Sequence, residues 1–163
     1  MSQPTPFGLS RLFTQLTGRK VDFCQTTAAL DSKIKQIYGV YTLLPHQVTI
    51  IVKADIALLG SFAGVLVGLP DSEVKERLKV NPLEELLRDA IYEVLNIASA
   101  GVTTEGRAVF DKMVTDPTYI DHGPGRVFLK PDHRSYFNVS VQGYQGGRFS
   151  ILAQMLPLTR GSA

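Results

Sequence analysis

One cysteine, three histidines and the absence of any long apolar run are the first constraints on this chain. With only Cys24, an internal disulfide is excluded. Its place just after the apolar start of a short strand predicts a small buried or half-buried residue rather than a reactive thiol. His46, His122 and His133 fall in predicted loops. The pairs Asp121-His122 and Asp132-His133 lack the helical or cysteine-assisted spacing of a metal site, so solvated turn residues are expected. No Ser-His-Asp or Cys-His spacing carries information.

The formal net charge is +2, and no cluster of Lys and Arg is dense enough for a nucleic-acid footprint. The stretch from Ile50 to Gly68 is broken by Lys53, Asp55 and Gly60, so no segment is apolar for long enough to span a bilayer. The N-terminus has no apolar run between a basic start and a small-residue cleavage site. A cytoplasmic protein without nucleic-acid or membrane partners is expected. The length suits one domain over residues 1–163, with 156–163 as a frayed tail.

What is present is a well-marked central helix. Asn81 can cap it, Pro82 suits the first helical position, and Glu84 favours the dipole. Gly101 is a natural left-handed stop. At roughly 100° per residue, Leu83, Leu87, Ala90, Ile91, Val94, Leu95 and Ala98 share one arc. Asp89, Glu93 and Asn96 stack along the opposite ridge at i, i+4 and i+7. Any amphipathic helix has a polar face, and spacing alone favours that plain reading. A mid-helix asparagine, mildly unfavourable to the helix, points toward a role.

Before that helix, Leu9, Leu12, Phe13 and Leu16 predict a short helix ended by Gly18. Strands are predicted over Ile37 to Leu43, over the alternating Val48 to Leu59, and over Phe62 to Leu69. Gly60-Ser61 is read as the turn between the last two, and Pro70 as the end. A brief helix capped by Asp71-Ser72 runs through Leu78. Thr104 to Met113 reads either as more helix or as an irregular crossover. Val127 to Leu129, Tyr136 to Val141 and Phe149 to Met155 read as a meander, turned at 131–133 and 143–147. The inventory is α+β: a largely antiparallel sheet covered by two main helices. Asn138-Val-Ser140-Val-Gln-Gly143 fits half of the cyclic di-GMP pattern of PilZ domains. The paired arginines of that pattern are absent, and strand residues before a glycine turn explain the letters.

The order of these pieces resembles the CheC/CheX/FliY family of chemotaxis phosphatases, CheX above all. Leu16-Thr17-Gly18-Arg19-Lys20-Val21 is similar to the family's first helix end and valine strand. Ala63-Gly64-Val65-Leu66-Val67-Gly68-Leu69-Pro70 is similar to its small apolar run. The family's active helix reads Asp or Ser, three residues, Glu, two residues, Asn, with a later Pro; Asp89, Glu93, Asn96 and Pro117 match. Gly146-Gly147-Arg148-Phe149-Ser150-Ile151-Leu152 fits its C-terminal strand. Two departures stand out. CheC-type proteins carry the active helix twice, whereas the first helix here has Ser10, Gln15 and Thr17 in place of a second acid–amide pair. Tyr92 stands where a small residue often precedes the Glu.

The resemblance implies a substrate, the phospho-aspartate of a CheY-like response regulator whose own active site holds Mg²⁺. No cofactor of this chain's own is expected. Asn96 would orient the attacking water, Glu93 would pair with a cation of the regulator, and Asp89, Tyr92 and Pro117 would touch the partner. A homodimer through sheet edges is also implied. A non-catalytic scaffold on the same fold, like the middle domain of flagellar switch proteins, is the alternative. A covered ridge at Asp89–Asn96 would favour the scaffold.

Overall fold

The computed structural model describes residues 4–27, 34–45, 48–115 and 131–155. The expected tail (156–163), the strand at 127–129, Pro117, His46 and the Asp121-His122 pair lie outside these residues. In chain order the elements are α1 (Pro6–Thr17), β1 (Val21–Thr26), β2 (Gln36–Leu44), β3 (Val48–Asp55), α2 (Ile56–Val67) and α3 (Asp71–Leu78). They continue with α4 (Glu85–Ala98), β4 (Arg107–Val114), β5 (His133–Val141) and β6 (Tyr144–Met155). The strands form one antiparallel sheet in the order β1-β5-β6-β3-β2-β4.

Alternation along the strands divides the apolar residues between two faces. Val48, Ile50, Val52 and Ala54 of β3 join Ile37, Tyr41 and Leu43 of β2 in the main core, with Phe149, Ile151 and Ala153 of β6. Helices α1, α2 and α4 cover this face. Tyr38, Val40, Ile51, Val114 and Leu152 form a second, smaller cluster. The α+β class therefore holds, with three helices on the main core where two were expected.

The missing helix is α2, which sequence periodicity had assigned to strand. Residues 58–64 are buried without a break, because α2 lies between the sheet, α3 and α4. A helix apolar on all sides shows no 3.6-residue rhythm, so its text reads as strand. Gly60 is not a turn residue; with Gly64 it forms the surface on which α3 rests. A Cβ at Gly60 would lie 2.6 Å from Leu78 Cδ1, and one at Gly64 would run into the buried Val74. Pro70 ends no strand; it precedes α3 as its N-cap. Gly64→Ala is expected to destabilise the fold by about 1–3 kcal/mol through overpacking. That loss outweighs the roughly 1 kcal/mol that alanine gains over glycine in a helix, and a urea midpoint shifted downward would register it.

Other expectations shift in detail. Residues 107–114 are neither helix nor crossover but the strand β4, paired with β2. The turn before β6 is confined to Gln142-Gly143; Gly147 already pairs with Val139, and Gly146 lies in β6 where the register with β5 shifts. The PilZ-like letters thus belong to a hairpin. Cys24 is exposed rather than buried, since on β1 the inward positions are Val21 and Phe23. Gly18 caps α1 in the left-handed conformation, as its position predicts.

Candidate functional site

The central helix begins later than its caps suggest. Leu83 packs on the core, and Glu84 adopts an extended backbone as the N-cap without a side-chain cap bond, so Asn81 and Pro82 precede the helix. The Glu84 carboxylate is instead drawn to Arg77 of α3 at 3.0 Å. Arg77 also bonds Glu73 at 3.0 Å, and these two acids raise its pKa further above the ordinary guanidinium range. The pairs are surface contacts of small individual worth, but they tie the start of α4 to α3.

From Glu85 onward the helix behaves as its pattern dictates. Leu87, Ala90, Ile91, Val94, Leu95 and Ala98 are buried. Asp89, Glu93 and Asn96 are all exposed along the outer ridge. Asp89 is loosely paired with Arg88 at 3.9 Å, and its side chain is 67% exposed. No hydrogen bond or ion pair within the described residues engages the side chains of Glu93 or Asn96, and both residues are exposed. Tyr92 is 46% exposed and its ring meets Phe110 of β4 edge-on at 4.9 Å, forming a shoulder beside the ridge. Leu86 is exposed too, an apolar contact point that the sequence reading did not single out.

The end of α4 is fixed from beneath. Its last turn tightens: the N–H groups of Ser99, Ala100 and Gly101 donate to the carbonyls of Asn96, Ile97 and Ala98. The Leu95 carbonyl, which a continuing helix would offer to Ser99, accepts instead from the hydroxyl of Tyr41 at 2.6 Å. Tyr41 is fully buried, and burial pushes its phenol well above its ordinary pKa, so it remains a donor. Leaving that carbonyl unpaired would cost about 1–3 kcal/mol. Gly101 does not act as a left-handed stop. It allows close approach, since a Cβ there would lie 2.8 Å from Leu12 and 3.1 Å from Leu9 of α1.

The first helix offers no second ridge of the same kind. Ser10 Oγ accepts the Phe23 N–H at 2.8 Å, and Thr17 bonds the Phe13 carbonyl at 2.8 Å. Thr14 accepts the Val21 N–H at 3.1 Å. The Ser10 and Thr14 hydroxyls thus occupy the amides of Phe23 and Val21, which leaves these two residues of β1 unable to donate to another strand. Among the described residues no group of three or more His, Cys, Asp or Glu could hold a metal ion. No helix among them is long and apolar enough to cross a membrane.

No family model matches the sequence, and no curated protein matches it significantly. Solved structures do match. FliY of Thermotoga maritima superposes with a TM-score of 0.57 at 12% identity, over 94% of this chain and 85% of that one. CheX of Vibrio vulnificus gives 0.55 at 12% identity, over 91% and 95%. The FliM middle domain of H. pylori gives 0.53 at 12% identity, over 90% and 83%. The chain has the fold of the CheC/CheX/FliY family, shared with the FliM middle domain.

Proposed function

We propose that this protein is a phosphatase for the phospho-aspartate of a CheY-like response regulator, with Glu93 and Asn96 as its working pair. The observation that carries this reading is the exposure of an acid and an amide on one ridge of a firmly packed helix. A regulator of this kind holds its own Mg²⁺ and phosphoryl group, so the phosphatase needs no nucleophile and no metal. It needs to place a water in line with phosphorus. A neutral amide does this with one donor and one acceptor, where a carboxylate would repel the phosphoryl oxygens.

Glu93, one turn before Asn96, pairs with a cationic side chain of the regulator and anchors the helix there. Asp89, a further turn back, makes a rim contact, and Tyr92 packs against the partner beside Glu93. Pro117 is assigned to the same contact by resemblance alone. Replacing Glu93 with glutamine removes the ion pair while keeping shape, and kcat/KM is expected to fall about tenfold or more. Stopped-flow or gel-based decay of the phosphorylated regulator at several concentrations would read it.

The fold shared with the FliM middle domain supports a second reading, a scaffold that binds a regulator or motor-switch component without catalysis. The open ridge speaks against it, because a scaffold has no reason to keep an acid–amide pair free in solvent. The deciding experiment mixes the protein with phosphorylated regulators and times loss of the phosphoryl group. Acceleration at substoichiometric protein supports the phosphatase. Binding without acceleration would transfer the assignment to the scaffold.

A further inference from the structure

We propose that Tyr41 is a positioning residue for Asn96, acting through the backbone of α4; its catalytic consequence rests on the phosphatase reading. The Leu95 carbonyl and the Asn96 N–H are two ends of one planar peptide unit. Holding that carbonyl from below, as the Tyr41 hydroxyl does at 2.6 Å, sets the plane from which the Asn96 side chain departs. No helical bond competes for that carbonyl, since the Ser99 N–H has turned to Asn96.

Two neighbours make the arrangement a built one. On the same strand and the same face, Gly39 leaves room for the hydroxyl. A Cβ there would lie 3.1 Å from the Tyr41 hydroxyl and 3.2 Å from Leu95 Cδ2. On the other side the Phe110 ring packs against Tyr41 at 5.2 Å and against Tyr92 at 4.9 Å. A rigid strand thus supports the helix turn that carries the amide, and the aromatic contact continues outward to the shoulder of the ridge. Placement of a water-orienting group is where small displacements cost most.

The test compares wild type, Tyr41→Phe, Asn96→Ala and the double variant, with Gly39→Ala as an independent disturbance of the same contact. Hydrogen–deuterium exchange follows the amides of Ser99, Ala100 and Gly101 against those of β3. Tyr41→Phe and Gly39→Ala are expected to speed exchange in that turn roughly tenfold, with β3 unchanged. With a phosphorylated regulator, Tyr41→Phe is expected to lower kcat about tenfold at unchanged KM and to add nothing in the Asn96→Ala background. Unchanged exchange in the last turn overturns the proposal, as does an equal kcat loss in both backgrounds. A wild type that accelerates no regulator removes the phosphatase reading instead, and exchange alone then decides whether Tyr41 fixes the turn.

Discussion

Asn96→Ala is expected to fold normally and to lose acceleration of phosphoryl hydrolysis by a factor on the order of 10² or more. The side chain is exposed and makes no bond within the described residues, so its removal opens no cavity and orphans no partner. Alanine is also the better helix former, by up to about 0.7 kcal/mol. The thermal midpoint should therefore stay level or rise slightly while activity falls. Those opposite movements separate a chemical role from a structural one. Retained activity in a folded Asn96→Ala protein would end the assignment of water orientation to this residue. Regulator binding, measured by fluorescence anisotropy, is expected to persist because Glu93 and Tyr92 remain.

The parts of the molecule that were legible in the sequence are those with one buried and one wet face. The central helix is the clearest: its arc from Leu87 to Ala98 is buried and its ridge exposed, as the periodicity requires. β5 was legible for the same reason at period two, since burial alternates along His133–Val141. Where both faces are buried, the letters lose direction. α2 is such a case, with Leu58 through Gly64 enclosed between the sheet and two helices. β4 was obscured differently, since its residues are half-buried and charged at 107, 111 and 112, which blurs the alternation.

Local cap signals proved weaker than tertiary pull. Asn81 and Pro82 offered a sound helix start, yet Leu83 is turned to the core and Glu84 to Arg77, so the helix begins at Glu85. The candidate ridge was legible because it depends only on position along one helix. The support beneath it was not. Tyr41 lies 54 residues before Leu95, and no local pattern connects a strand tyrosine to a distant helix carbonyl.

Phe13→Ala carries the largest expected loss of stability, about 3–5 kcal/mol. Phe13 is fully buried on α1 and joins three other elements. It stacks on Phe62 of α2 at 4.6 Å, tilts against Phe23 of β1 at 5.3 Å and meets Phe149 of β6 edge-on at 5.9 Å. Helix α1 cannot follow a truncated side chain inward, because the Ser10 and Thr14 hydroxyls hold it at the edge of β1. The volume of a ring is then left as a cavity rather than closed by collapse. A deficit of that size is a large part of a typical domain's total stability of about 5–15 kcal/mol. Denaturant melts followed by circular dichroism should show the midpoint drop with little change in slope. Activity per folded molecule is expected to survive under conditions where the variant stays folded, since α4 is fixed by Tyr41 and by its own apolar face. Phe13→Ala and Asn96→Ala should therefore fail in complementary ways, one losing the fold while keeping the chemistry and the other the reverse. A Phe13→Ala protein that folds fully but cannot accelerate phosphoryl loss would mean that α1 also shapes the site, through Leu9 and Leu12 against Gly101 at the end of α4.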